Sequence, residues 1–170
     1  DNLGMSNPNH RWQEYDVLTD DYARMLIKEL LPRVGATYNL TKDPERRVIG
    51  GTSSGAICAF TVAWHYPNEF RNVISFIGSF TSIGSRPKTD DPAKIRRSPI
   101  KPLKVFFQDG SNDLDNDWGD WFLANQQMVK ALNYANAKAD KTGDTGPRYV
   151  EKHVWPDGQH SDQHGGSMIP

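Results

Sequence analysis

The sequence predicts an α/β fold with a mostly parallel central sheet and helices on both faces of that sheet. Four short segments rich in apolar and β-branched residues have the length and composition of strands, at residues 46–52, 73–78, 103–108 and 149–155. Helical or irregular segments separate them, which is the pattern of β-α-β units with parallel strands. Ligands of such sheets bind beyond the carboxyl ends of the strands.

The composition is that of a single folded domain over residues 1–170. A formal net charge of −1 provides no basic field for nucleic acid or a membrane surface. No apolar run approaches the roughly 20 residues that a membrane-spanning helix needs. Cys58 is the single cysteine, so an intrachain disulfide is excluded, and its apolar surroundings predict a buried packing residue. We therefore predict neither nucleic acid nor membrane as a partner.

The first third of the chain predicts a loop and then an amphipathic helix. Residues 1–15 are polar and aperiodic. Apolar residues then recur at spacings of three and four between Tyr22 and Leu30, with Thr19 placed as an N-cap. Pro32 is expected to kink or end this helix.

The middle of the chain predicts two strands joined by a helix. The strand at residues 46–52 leads into a helix at residues 54–65, and the nearly continuous apolar run at residues 73–78 predicts a strand covered on both faces. Residues 80–102 contain four prolines and predict an irregular connection. This connection is either a lid or binding wall, or a solvated crossover with one short helix.

The last third predicts a strand, a polar loop at residues 109–117, a helix at residues 118–140 and an edge strand. The helix carries an apolar stripe that includes Trp121 and Phe122, and Trp118 near its start is placed to line a cleft. A glycine-containing loop at residues 156–166 follows the last strand.

The turn Gly51-Thr52-Ser53-Ser54-Gly55 lies between the first strand and its following helix and has the pattern G-x-S-x-G. In a nucleophile elbow this pattern places a serine on a sharp turn at the end of a strand. The two glycines let strand and helix approach without an intervening Cβ. Ser53 is therefore the predicted nucleophile, attacking an ester carbonyl.

Two loops at the same edge of the sheet provide partners for Ser53. A serine hydroxyl needs an adjacent base, and the base needs an orienting carboxylate. The loop after the third strand has four aspartates and the loop after the fourth strand has two histidines: Asp109, Asp113, Asp115, Asp117, His160 and His164. The resulting order of Ser, Asp and His is that of the α/β-hydrolase triad.

These motifs resemble the enterochelin-esterase-like, or esterase D, group of α/β hydrolases, which also contains feruloyl and acetyl-xylan esterases. The resemblance rests on residues 50–55, on Phe107-Gln108-Asp109-Gly110-Ser111-Asn112-Asp113, on Asp157-Gly158-Gln159-His160 and on His164-Gly165-Gly166. It covers the chain from about Tyr15 to the end and implies the α/β-hydrolase fold.

The resemblance also implies which residues form the triad. The family's acid follows the third strand at G-x-x-D, which matches Asp113, with Asp109 as the alternative. Its histidine lies in a short loop beyond the last strand and matches His160, with His164 as the alternative. His153 alternates into the last strand and is predicted to be structural.

The implied mechanism is acyl transfer to Ser53 with His160 as the general base, and Asp113 holds the imidazole in the required tautomer. Backbone N–H groups, including that of Ser54, would hold the oxyanion. This chemistry requires no cofactor.

Two metal-like patterns fail on their ligands. An EF-hand loop beginning at Asp113 has Trp118 at the required glycine and Ala124 at the required glutamate. The zinc-like group of His160, Asp162 and His164 lacks supporting ligands. No metal is therefore predicted.

The predicted function is a serine esterase acting on a small-molecule or carbohydrate-linked ester, with siderophore, feruloyl and acetylated-carbohydrate esters as the classes that the resemblance implies. The alternatives are a non-catalytic ligand-binding module of the same fold and an acyltransferase with the same triad. Relative to the family, the first strands and the closing helix are missing, so we expect residues 1–170 to be the C-terminal majority of a domain. The resemblance also favours a bacterial secreted or periplasmic location.

Overall fold

A four-stranded parallel sheet forms the centre of the computed structural model, which describes residues 13–83 and 91–161. Its strands are β1 (Val48–Thr52), β2 (Asn72–Phe76), β3 (Lys104–Gln108) and β6 (Val150–Val154), hydrogen-bonded in the order β1-β2-β3-β6. Every neighbouring pair in this sheet is parallel. A small antiparallel hairpin, β4 (Asp115–Asn116) with β5 (Gly119–Asp120), lies in the segment after β3. The predicted parallel sheet, with β6 at an edge, is therefore confirmed.

The N-terminal helical segment continues past the proline that was expected to disturb it. It consists of α1 (Asp21–Met25), a π-helical turn (Leu26–Leu30) and α2 (Leu31–Gly35). The wider π turn precedes Pro32, whose ring would clash with the carbonyl four residues earlier in a regular α-helix. The predicted N-cap was wrong, because Asp20 occupies that position and Thr19 Oγ1 donates to the Asp21 carboxylate instead.

Helix α3 (Ser54–His65) has the bounds that the sequence predicted and is buried along most of its length. Cys58 lies within it at 6% exposure, which confirms its packing role. Burial, together with nearby Asp16 and Glu14, raises the pKa of the Cys58 thiol to about 12. The thiol is therefore protonated at neutral pH.

The second half of the chain adds α4 (Asp91–Arg97) and α5 (Trp121–Thr142). Helix α4 lies in the proline-rich connection, so the described part of that connection fits a crossover with one short helix. Helix α5 begins later than predicted because residues 119–120 pair in the hairpin, and Asp120 caps it by accepting from the Leu123 N–H. Among the described residues, no helix is both long and apolar enough to cross a membrane.

The core lies on one face of the sheet. Val73, Val105 and Phe107 project from this face into a buried cluster with residues of α3 and α5. Alternate strand positions on the other face, such as Ile74 and Phe106, are only half-buried. Helices were expected on both faces of the sheet, and β2 was expected to be covered on both sides. In the described part of the chain, the helices cover one face. Burial along β2 therefore alternates between buried and half-buried residues.

Candidate active site

Ser53 lies on a strained turn between β1 and α3. Its φ of 59° and ψ of −120° fall in a region that residues other than glycine rarely adopt. Its backbone N–H donates to the Phe76 carbonyl at 3.0 Å, which ties the turn to the neighbouring strand. Strain of this kind at a strand-to-helix turn is the feature that exposes the serine of a nucleophile elbow.

The two glycines of the elbow have different roles. A Cβ at Gly51 would lie under 3.0 Å from backbone atoms of Gly55 and Ala56, so β1 and α3 meet there with no room for a side chain. A Cβ at Gly55 would meet nothing within 4 Å. Gly51 therefore lets strand and helix approach as predicted, whereas the prediction that Gly55 does so by lacking a Cβ was wrong.

Ser53, His160 and Asp113 form one hydrogen-bonded series. His160 Nε2 lies 3.0 Å from Ser53 Oγ, and His160 Nδ1 lies 2.7 Å from Asp113 Oδ1. The Asp113 side chain is 0% exposed and that of His160 is 19% exposed. The structure thus brings together the three residues that the sequence nominated, whereas the alternative His164 lies outside the described residues.

Asp113 accepts hydrogen bonds from a side chain and from a backbone N–H group. Its Oδ1 accepts from the Leu114 N–H at 2.6 Å as well as from His160. Burial raises the pKa of Asp113, but the hydrogen bonds from His160, Asp109 and Leu114 outweigh it and hold that pKa below its usual range. Asp113 is therefore ionised at neutral pH, as an orienting carboxylate must be.

Backbone hydrogen bonds join the loop after β3 to the loop after β6. Ser111 N–H donates to the Pro156 carbonyl and Asn112 N–H to the Gly158 carbonyl, both at 2.9 Å. A Cβ at Gly110 would lie under 3.0 Å from the Gly158 carbonyl. These contacts fix the distance between the loop of Asp113 and the loop of His160.

Sequence reasoning missed Ser79, and it assigned Trp121 to the apolar core. Ser79 Oγ lies 3.0 Å from Ser53 Oγ and accepts from Trp121 Nε1 at 2.9 Å. The Trp121 ring also packs edge-on against His160, with ring centroids 5.9 Å apart. Ile77, at a φ of 42°, turns the chain after β2 toward this position. The available signal was that Ser79 follows a strand at the same edge as Ser53.

Ser54 is the first residue of α3, and it is buried next to the nucleophile. The first N–H groups of a helix have no intrahelical acceptor, and the helix dipole is positive at this end. This position is suited to an oxyanion, so Ser54 N–H stays the predicted donor.

A cleft of about 390 Å³ is lined by residues 80–82, which follow Ser79, and by the start of α5; Ser53, Asp113 and His160 are not among its lining residues. Trp118, 53% exposed, is among the residues that line it, as predicted. His153 lies elsewhere, bonded to Glu151 and stacked on Trp155, in keeping with a structural role.

Comparison with known proteins gives both a family and a fold. The family described as "Putative esterase" matches residues 6–162. The iron(III) enterobactin esterase of Dickeya dadantii (strain 3937) is 28% identical over 117 residues, which are 61% of this chain and 26% of that protein. This chain thus spans about a quarter of that relative.

Two solved structures support the same fold. The enterobactin esterase of Shigella flexneri, crystallised in the presence of enterobactin, has a TM-score of 0.72 at 21% identity, over 91% of this chain and 36% of that one. A ferulic acid esterase has a TM-score of 0.61 at 16% identity, over 84% and 55% of the two chains. The predicted α/β-hydrolase fold is therefore confirmed.

Proposed function

Because this chain belongs to the esterase family that it matches over residues 6–162, we propose that it hydrolyses carboxylic esters through an acyl-enzyme on Ser53. The observation that carries the proposal is the hydrogen-bonded series from Asp113 through His160 to Ser53. Ser53 also lies on a strained turn at a helix N-terminus, where its hydroxyl and an oxyanion-binding N–H are adjacent.

The protons in this reaction move along the observed hydrogen bonds. Asp113 accepts a hydrogen bond from the Nδ1–H of His160 and stays ionised, so Nε2 carries the lone pair that takes the Ser53 proton. Ser53 Oγ attacks the ester carbonyl, the oxyanion forms beside the Ser54 N–H, and His160 returns the proton to the departing alcohol. Water, activated by His160 in the same way, then releases the acid from Ser53.

The substrate we propose is a small-molecule carboxylic ester, of the kind named for the relatives that act on enterobactin and on ferulic acid esters. The cleft lined by residues 80–82, directly after Ser79, supports this proposal, since its volume of about 390 Å³ suits a small molecule. Trp118 offers an exposed aromatic surface in that cleft for an aromatic acyl or alcohol group.

Covalent labelling tests the nucleophile directly. We expect a fluorophosphonate probe to label the 170-residue chain, and Ser53→Ala to abolish the labelling because the attacking oxygen is gone. Intact-protein mass spectrometry measures the adduct, and Ser98→Ala, at a serine that follows α4 and does not line the cleft, is the matched control that should still label. Labelling that persists in Ser53→Ala would overturn the assignment, and an unlabelled wild type would favour a non-catalytic binding module.

A further inference from the structure

A second carboxyl group, that of Asp109, lies within hydrogen-bonding reach of Asp113, the acid of the candidate triad. Asp109 is 0% exposed, and its Oδ2 accepts from Asn125 Nδ2 at 2.8 Å. Its other oxygen, Oδ1, is buried and receives no N–H hydrogen bond. Asp113 Oδ2 is also buried and receives no N–H hydrogen bond, because His160 and Leu114 both donate to Oδ1. The two neighbouring carboxyl groups thus each leave one buried oxygen without a donor.

A single proton resolves both deficits. Two ionised carboxylates in contact and out of water would repel each other, and each would hold an unsatisfied oxygen at high cost. If one carboxyl is protonated, its O–H donates to the other, and both oxygens gain a hydrogen bond. Asp113 already accepts from His160, which favours its charged form, so the proton belongs on Asp109.

We propose that Asp109 is a neutral carboxylic acid whose O–H donates to Asp113 Oδ2, and that it acts as a positioning residue for the carboxylate that orients His160. The positioning role rests on the proposed function, whereas the protonation does not. Asp109 acts through Asp113, and its own partner Asn125 lies in α5. Burial first, and the hydrogen bond and charge of Asp113 next, raise the pKa of Asp109 to about 9.

Asn125 holds this acid in place. Its Nδ2 also lies 2.8 Å from the Gly78 carbonyl and 3.0 Å from the Trp121 carbonyl, so its two N–H groups are shared among three acceptors and link α5, the segment after β2 and the acid loop. The side chain is 0% exposed. The carboxyl of Asp109 therefore has a fixed orientation, with Oδ2 toward Asn125 and Oδ1 remaining for Asp113.

The groups around Asp109 determine the sign of its pH dependence. Asp113 of the same loop is negative, His160 lies beyond Asp113, and Asn125 and the Gly78 carbonyl are neutral. In the folded protein Asp109 stays protonated, whereas in the unfolded chain it loses its proton above the ordinary pKa of an aspartate, near 3.8. Stability from this group is thus fully present below about pH 4 and is lost as the pH rises toward about 9, by up to tenfold in the folding equilibrium per pH unit.

Thermal unfolding of wild type and Asp109→Asn between pH 5 and pH 9 tests the protonation. In Asp109→Asn, the new side-chain amide can still donate to Asp113 and accept from Asn125, but it does not titrate. As the pH rises across this range, we expect the Tm of Asp109→Asn to increase relative to that of wild type by about 3 °C per pH unit, because only the wild type loses the stability of the Asp109 proton. A Tm difference that is constant with pH would overturn the protonated state, whatever the fate of the proposed catalytic function.

Rescue by the conservative variant tests the positioning role. We expect Asp109→Ala to lower kcat for p-nitrophenyl acetate about tenfold with KM unchanged, and Asp109→Asn to recover most of that loss. Asp113→Asn, which cannot orient the imidazole, should lose about 10³-fold to 10⁴-fold. If Asp109→Asn proves more damaging than Asp113→Asn, Asp109 is itself the acid of the triad and the proposal fails. If Asp109→Ala does not fold, the comparison of the two asparagine variants still decides.

Discussion

Ser53 has one more hydrogen-bond partner than a triad requires. The indole N–H of Trp121 can only donate, so Ser79 Oγ accepts it and retains its own proton to donate to Ser53. Ser53 is then free to donate to His160 Nε2. In this direction Ser79 donates to Ser53, Ser53 donates to His160, and Ser79 holds Ser53 Oγ toward the imidazole.

Removal of the Ser79 hydroxyl should affect the rate of the reaction and the stability of the protein. For Ser79→Ala we expect kcat to fall about tenfold, which is about 1.4 kcal/mol and the usual value of one neutral hydrogen bond. KM should not change, because Ser79 positions the nucleophile. The free energy of unfolding should fall by about 1–3 kcal/mol, since the buried Trp121 N–H loses its acceptor. Steady-state hydrolysis of p-nitrophenyl acetate and urea unfolding measure the two effects.

The double variant Ser79→Ala, Trp121→Phe is the control for the second effect. It removes the donor as well as the acceptor and keeps an aromatic ring against His160. Stability should recover while kcat stays low. An unchanged kcat in Ser79→Ala would contradict the positioning of Ser53 by Ser79.

At the scale of elements, the elbow depends on how closely β1 approaches α3. Ser53 adopts its strained φ because the strand must turn into the helix within a few residues, and the backbone of Gly55 lies where a Cβ at Gly51 would project. The bond from Ser53 N–H to the Phe76 carbonyl then fixes the turn to β2. Space for the backbone, more than freedom of φ, is therefore what Gly51 contributes.

Alanine at the two glycines should have opposite effects. Gly51→Ala forces β1 and α3 apart, so we expect a loss of about 3 kcal/mol in the free energy of unfolding and a large drop in kcat/KM. Gly55→Ala adds a Cβ into open space in a helix, so stability should hold or rise by up to about 1 kcal/mol, with kcat/KM retained. Urea unfolding and ester hydrolysis of both variants measure this contrast, and equal losses would contradict it.

At the scale of the whole molecule, the sheet order brings distant residues together. His160 lies 107 residues from Ser53 and 47 from Asp113 along the chain. Because β3 pairs with β6, the acid loop and the histidine loop leave the sheet side by side, and backbone bonds continue the pairing beyond the strands. Gly110 lets the two loops touch.

Gly110→Ala should separate the acid from the base without changing either residue. The added Cβ meets the Gly158 backbone, which moves His160 away from Asp113. We expect kcat to fall about 100-fold, because small displacements of catalytic groups are costly. Gly35→Ala is the control, since its Cβ would make an ordinary contact of 3.7 Å with Leu40, far from the site. Similar kcat values for the two variants would argue that the contact at Gly110 does not position the triad.

Local properties of the sequence were sufficient to predict the elements and to nominate candidates for the triad. Length, apolar patterning and turn residues are local properties, so the bounds of α3 and the four parallel strands could be predicted. The elbow motif nominated Ser53, the chain order narrowed the acid and the base to two loops, and the family resemblance selected Asp113 and His160 within those loops. The same reasoning placed Trp121 in the core, since apolar periodicity indicates burial without indicating what a buried side chain contacts.

The contacts of Ser79, Trp121 and Asp109 with the candidate triad depend on how separate elements pack, so they could not be predicted from the sequence. Asp109 and Asp113 have the same side chain and occupy the same loop, so their sequence positions leave their charges undetermined. Their pKa values move in opposite directions. The hydrogen bond from His160 is the largest of the contributions that lower the pKa of Asp113, whereas burial and the neighbouring Asp113 raise that of Asp109. The protonation of a carboxyl depends on the donors, charges and solvent around it, and here those groups come from elements far apart in the chain.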